Sequence, residues 1–199
     1  DVPPENTLTK ALRFLRELVT VAPLQMRLTK RIPMQAGLGG GSSDAAGLIR
    51  AVQAIYPEQA SERFAQEVAA AVGSDVPFFL VGGRAKATGY GDAVVPLPDV
   101  PEQWLVIVKP PESVSTVGAY AALDSALREW REFSDDLYND FERVAPCVCG
   151  EVAERLRIHG ASDALLCGSG SAVFGVFETQ VRAECARELE VLIGVEVHA

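Results

Sequence analysis

Residues 32 to 48 read Ile-Pro-Met-Gln-Ala-Gly-Leu-Gly-Gly-Gly-Ser-Ser-Asp-Ala-Ala-Gly-Leu. Within it, four glycines and two serines from Gly37 to Ser43 sit between a strand-like segment and a helix-like one, and glycine there lets the backbone approach a ligand closely, as a phosphate cradle does. Before it, Leu24, Met26, Leu28 and Ile32 alternate with Gln25, Arg27, Thr29 and Arg31, which predicts a half-buried strand. After it, Ala45, Leu48, Ile49, Val52 and Ile55 recur at helical spacing, so the glycines open onto a helix N-terminus. The first amides of a helix lack intrahelical acceptors and its dipole is positive there, which suits an anion. Ser42 or Ser43 is predicted to cap that helix and to offer a hydroxyl to a phosphate or its magnesium ion.

A flexible linker is the competing reading, but linkers seldom join a strand to a helix so abruptly. No Gly-Lys-Ser/Thr closes the run and its spacing is not Gly-x-Gly-x-x-Gly, which sets aside two other phosphate loops. Backbone amides can hold phosphates without a loop lysine.

The 199 residues are 48% hydrophobic, enough for one large domain or two small ones. A net charge of −9 argues against nucleic acid or an anionic membrane as partner, since either calls for a basic stripe. A small phosphorylated ligand is compatible, its charge met by amides, a metal ion and cations such as Lys30, Arg31, Arg84, Lys86 and Lys109, although any single one of these reads more readily as solvated surface. No apolar stretch approaches the roughly 20 residues of a membrane span, and no secretory signal pattern is present. The expected compartment is cytoplasmic, although Asp1 in place of Met leaves a removed targeting peptide open. Cys147, Cys149, Cys167 and Cys185 read as reduced thiols, and His159 and His198 have no ligand-spaced partner, so no metal centre is expected from them.

Residues 7 to 20 predict an amphipathic helix with Leu8, Ala11, Leu12, Leu15 and Leu18 on one face. A further helix spans 61 to 72 and ends near Gly73, because Pro77 removes a donor and pushes Val76 toward an extended backbone. Short strands are expected over 78–81, 84–88 and 93–97, with turns at Gly82-Gly83 and Gly89-Tyr90-Gly91. Pro96-Leu97-Pro98-Asp99-Val100-Pro101 marks a domain boundary, dividing the chain into 1–99 and 100–199. Beyond it, strands at 104–108, 164–167, 172–177 and 195–198, helices at 116–127 and 181–192, and one or two further helices over 139–158 give β-α-β-β-α-β with a helical insertion. This is the order of a ferredoxin-like sandwich, and the whole reads as α+β.

Asp75, in Gly73-Ser74-Asp75-Val76-Pro77-Phe78-Phe79, is the catalytic candidate. An aspartate at a turn usually serves local hydrogen bonds, but phosphoryl transfer to an alcohol needs little beyond positioning, charge neutralisation and a proton acceptor. Cys167-Gly168-Ser169-Gly170-Ser171 reads equally as a tight hairpin or a ligand-facing turn. Tyr120 and Phe177 read as core aromatics, and Asn139-Asp140-Phe141-Glu142 as a helix cap.

Taken together, Ile32 to Ala46, Gly73 to Phe79, Thr88-Gly89-Tyr90-Gly91-Asp92, Asn139 to Glu142 and Gly168 to Ser171 resemble the GHMP kinase superfamily. Within it, the triple glycine followed by Ser-Ser-Asp-Ala-Ala is similar to the branch that phosphorylates the 2-hydroxyl of a cytidyl-diphospho-methylerythritol alcohol in non-mevalonate isoprenoid precursor synthesis. The resemblance implies a GHMP kinase fold, here a partial N-terminal S5-like α/β domain and a C-terminal ferredoxin-like sandwich. It also implies ATP and Mg2+ as cofactors and a cytidine diphosphate derivative as substrate. By the same resemblance Pro33, Ala36, Gly37, Leu38, Gly39, Gly40, Gly41, Ser42 and Ser43 wrap the ATP phosphates, Lys30 lies near the nucleotide, and Gly168, Ser169 and Gly170 complete the phosphate side. Asp75 is then the acid/base, Thr116 and Tyr120 face the substrate's cytidine, and Ser43 approaches the metal. Tyr90 and Asp92 stand where the family usually has Arg and Glu. The family's opening Ala-Lys-x-Asn-Leu strand and Gly-Tyr-His segment are not in this sequence, so the expectation is a portion of such a kinase with weak activity by itself. The alternatives are a non-catalytic nucleotide-binding module and a kinase of this fold for another small alcohol.

Overall fold

The computed structural model describes residues 3–126, 137–186 and 196–198. Its contacts gather into two compact units, one from the residues up to Arg31 with Gly39–Pro101, the other from Ile32–Leu38 with the residues from Glu102 onward.

The first unit contains α1 (Thr7–Leu18), α2 (Gly40–Ile55), α3 (Glu62–Val72), α4 (Val76–Val81), β1 (Ala85–Thr88) and β2 (Ala93–Pro96). Polar side chains set where the helices start. Asn6 accepts the amides of Leu8 and Thr9 while Thr9 Oγ1 accepts the Asn6 amide, and Ser61 accepts the Phe64 amide. Their apolar faces meet in one core of Ala11, Leu15, Ala45, Ile49, Val52, Val68, Val72 and Val76, each at most 3% exposed. The expected face of α1 loses its last member, because Leu18 is 61% exposed at the helix end; Ile55, closing α2, is exposed likewise.

Two expected strands are corrected. The alternating segment from Leu24 to Ile32 joins no ladder among the described residues. Leu24 and Leu28 are half-buried whereas Met26 and Ile32 are exposed, so burial does not follow the apolar alternation. Alternation supplies two faces, but only a partner strand makes a ladder. Residues 78–81 belong to α4, where Pro77 sits in the first turn and its missing N–H costs no helical bond. The expected hairpin does form, β1 pairing antiparallel with β2 from Ala85↔Pro96 to Thr88↔Ala93.

The second unit contains β3 (Trp104–Lys109), α5 (Thr116–Ser125), a short 3-10 helix (Asp140–Arg143), α6 (Cys147–Ile158), β4 (Asp163–Leu166), β5 (Val173–Phe177), α7 (Gln180–Ala186) and β6 (Glu196–His198). The sheet order is β4-β5-β3-β6 with every pair antiparallel, the ferredoxin-like arrangement expected from the element order. Val106 and Val108 of β3, with Val173 and Phe177 of β5, face Val152 and Leu156 of α6 and Ala183 of α7 in a single core. The expected strand at 195 and helix ends at 127 and 187–192 lie outside the described residues.

Candidate active site

The glycine run delivers a bare helix N-terminus. Gly39 adopts the left-handed conformation, φ 65° and ψ 15°, and no side chain caps α2. The first backbone bond runs from the Ser43 amide to the Gly39 carbonyl at 2.9 Å, which leaves the amides of Gly40, Gly41 and Ser42 pointing out of the helix. The expected cap by Ser42 or Ser43 is therefore corrected: both lie inside the first turn, and the Ser43 hydroxyl donates to the Gly40 carbonyl at 2.9 Å. A capping serine must precede the helix with extended backbone, and that place is taken by a left-handed glycine. A Cβ on Gly39 would come within 2.5 Å of the Phe79 ring.

Phe79 belongs to α4, one helical turn beyond Asp75 and on the same side. Asp75 is exposed at the start of α4, makes no cap hydrogen bond there, and among the described residues accepts a long 3.4 Å contact from the Ser74 hydroxyl. The β1–β2 turn reaches the same place, since a Cβ on Gly91 would lie 2.9 Å from the Ser74 carbonyl oxygen. Tyr90 at its tip is 93% exposed. Lys30 is paired with Asp44 at 2.5 Å, both side chains about a quarter exposed or less, so its charge is balanced within α2's first turns.

In the second unit the start of the loop meets the other glycine turn, backbone against backbone. A Cβ on Gly37 would sit 1.9 Å from the Cys167 carbonyl oxygen. The Ala172 amide donates to the Ala36 carbonyl at 3.1 Å, and the Gly170 amide to the Cys167 carbonyl at 2.8 Å. Ala36 is buried, and Pro33 and Leu38 are half-buried beside it in sequence. Burial pushes the Cys167 thiol up to about 12, which keeps it protonated and unreactive near neutral pH.

Ser169 Oγ lies 3.2 Å from Thr116 Oγ1 at the start of α5. Tyr120 on that helix is 56% exposed, which corrects its reading as core, and meets Phe141 edge-on at 4.9 Å. Phe177 is core as read. Asn139 does cap, accepting the Phe141 amide at 3.0 Å, but its amide group also donates to the carbonyls of Leu166 and Gly168. Phe79 under Gly39 and Asn139 at Gly168 went unseen in the sequence, because each acts on a partner far along the chain. The described residues hold no group of three or more His, Cys, Asp and Glu placed for a metal. No described helix is long and apolar enough to cross a membrane.

Comparison with known proteins decides the family. The GHMP kinases N terminal domain matches residues 6–83 and the GHMP kinases C terminal domain residues 119–189. A 4-diphosphocytidyl-2-C-methyl-D-erythritol kinase of Desulfitobacterium hafniense is 37% identical, covering 91% of this chain and 70% of its own length. The chain belongs to the GHMP kinases. A Geobacter metallireducens protein of the same name is 38% identical over 93% of this GHMP kinase and 71% of its own length. The crystal structure of a 4-(cytidine 5'-diphospho)-2C-methyl-D-erythritol kinase superposes with a TM-score of 0.80 at 32% identity, over all of this chain and 79% of that one. A homoserine kinase from Cytophaga hutchinsonii, at 17% identity and a TM-score of 0.68, shares the fold. As a GHMP kinase the protein is an ATP-dependent phosphotransferase with an alcohol acceptor.

Proposed function

We propose that this GHMP kinase transfers the γ-phosphoryl group of ATP, with Mg2+, to the 2-hydroxyl of 4-diphosphocytidyl-2-C-methyl-D-erythritol. The observation that carries the reading is the uncapped start of α2, where left-handed Gly39 leaves three successive amides for a polyphosphate. The names borne by the relatives support the acceptor.

The residues fit the groups they would hold. Gly37 and Gly39 have no room for a Cβ against the Cys167 backbone and the Phe79 ring, and the amides of Gly40, Gly41 and Ser42 that follow are the groups that would meet the phosphates. By the family resemblance, the Ser42 hydroxyl and the turn Gly168-Ser169-Gly170 would add donors, and Lys30, Pro33, Ala36 and Leu38 are further proposed nucleotide contacts. Ser43 Oγ already donates its hydrogen, so it can still turn a lone pair to Mg2+. When bound, MgATP supplies the electrophilic phosphoryl group and a divalent charge to balance its oxygens. Thr116 and the exposed ring of Tyr120 receive the cytidine. Asp75 orients the acceptor hydroxyl; an ordinary carboxylate is too weak a base to ionise an alcohol first, so it takes the proton as the O–P bond forms.

Asp75→Asn keeps the shape and removes the proton acceptor. We expect kcat to fall about a hundred- to ten-thousand-fold while ATP affinity stays within about twofold. Coupled ADP release with ATP, Mg2+ and the cytidyl substrate, beside nucleotide titration, measures both. Undiminished turnover in the variant would remove Asp75 from the chemistry. Wild-type turnover with homoserine or mevalonate but not the cytidyl alcohol would overturn the acceptor, and nucleotide binding without turnover on any alcohol would leave a binding module.

A further inference from the structure

The stretch Asn139-Asp140-Phe141-Glu142 has no part in the proposed reaction, yet its side chains hold two of the places that do. Strand β4 lies at the edge of its sheet, where among the described residues the outward backbone groups have no partner strand. Side chains fill that role. Arg157 donates to the Ala164 carbonyl at 2.6 Å, Glu142 Oε1 accepts the Leu166 amide at 3.0 Å, and Asn139 Nδ2 donates to the Leu166 carbonyl at 2.9 Å. The second hydrogen of that same amide group reaches past the strand to the Gly168 carbonyl at 2.7 Å, while Oδ1 accepts the Phe141 amide. Both donors and one acceptor position of a single side chain are thus committed.

The glycine turn is held from its other side by the contact between Ser169 and Thr116. Thr116 opens α5, and Tyr120 follows one helical turn later. The Tyr120 ring stands at 89° to that of Phe141, which is packed against the buried core. The contacts therefore close a circuit from the turn through Thr116, Tyr120, Phe141 and Asn139 back to Gly168. A half-exposed tyrosine and a glycine-rich turn are each conformationally free when alone. In this circuit the turn is tied at Gly168 and Ser169, and the Tyr120 ring by Phe141.

We propose that Asn139 and Phe141 are positioning residues: Asn139 fixes the Gly168–Gly170 turn in the shape that meets ATP, and Phe141 fixes the plane of the Tyr120 ring that meets the acceptor's nucleobase. The assignment rests on the function proposed above for the turn and for Tyr120. It predicts a split by ligand that loss of stability alone would not produce.

The test titrates wild type, Asn139→Asp and Phe141→Leu with a non-hydrolysable ATP analogue and, separately, with cytidine 5'-diphosphate, following thermal melts in parallel. Asn139→Asp keeps the oxygen that caps Phe141 but turns a carboxylate toward two carbonyl oxygens. Asn139→Thr, an uncharged capping residue, replaces it if the aspartate variant does not fold. Either should weaken the ATP analogue about tenfold and leave cytidine diphosphate within about twofold. Phe141→Leu keeps apolar bulk and removes the ring edge; it should weaken cytidine diphosphate about fivefold and spare the ATP analogue. Unchanged affinities, or equal losses for both ligands that follow the melting temperature, overturn the proposal. If wild type binds the ATP analogue but not cytidine diphosphate, the acceptor reading and the Phe141 half fall together, and the Asn139 variants against the ATP analogue decide the other half.

Discussion

At the scale of single residues, glycines divide by what a methyl group would strike. Gly37 has φ +74°, and its absent Cβ would lie 1.9 Å from a carbonyl oxygen, an atom that cannot swing aside as a side-chain tip can. Gly47, in the middle of α2, has nothing within 4 Å of the same position. Alanine at the two sites should therefore act with opposite sign. Gly47→Ala removes unfolded-state freedom and should stabilise by about 0.5–1 kcal/mol. Gly37→Ala adds left-handed strain of about 1 kcal/mol and forces two backbones apart, for a loss of about 2 kcal/mol or more and at least a tenfold loss of ATP affinity. Urea melts and nucleotide titration of the two variants decide this, and a Gly37→Ala protein with wild-type stability would show that the close approach to Cys167 does not occur.

At the scale of elements, α4 carries Asp75 with little intrinsic means to stay folded. Six residues are too few for an isolated helix, so its placement depends on docking. Its buried Val76 and Leu80 pack into the first core, Phe79 lies against Gly39, and the Arg50 guanidinium of α2 donates to the Leu80 carbonyl near its C-terminus. Arg50→Met keeps the aliphatic stem and leaves that carbonyl without its donor. We expect a loss of about 1 kcal/mol in stability and a fall in kcat larger than the change in ATP affinity, read by melts and steady-state kinetics. Equal effects on both would mean that Arg50 supports α2 rather than α4. This helix also shows where sequence reading stops. The helices capped by Asn6 and Ser61 and the β-α-β-β-α-β order were legible because their signals are local and agree with one another. Pro77 was ambiguous, since the same ring breaks a helix interior and begins a helix well, and only docking selects between them. The segment from Leu24 to Ile32 failed for a related reason: alternation was visible, the lack of a ladder partner among the described residues was not. The glycine loop stands out by composition and spacing and is what singles out Asp75, whereas Asn139's hold on Gly168 spans 29 residues and leaves no local mark.

At the scale of the whole molecule, a chain of net charge −9 is proposed to bind two polyphosphorylated ligands. Its long-range field opposes their approach, so affinity must come from short-range donors: the uncapped amides of α2, a metal ion, and few cations, of which Lys30 is already matched by Asp44. The two contributions respond differently to salt. Screening lengths fall from about 30 Å near 10 mM to about 10 Å near 100 mM, which weakens the diffuse repulsion while leaving hydrogen bonds at the helix end almost untouched. The association rate of a fluorescent ATP analogue, measured by stopped flow at fixed Mg2+, should therefore hold steady or rise between about 10 and 100 mM KCl, with little change in the dissociation rate. A protein that gathers nucleotide through a basic surface would show the reverse, a steep fall in association rate. That outcome here would mean that a cluster such as Lys86 with Arg84, rather than the amides beyond Gly39, governs capture of the phosphates.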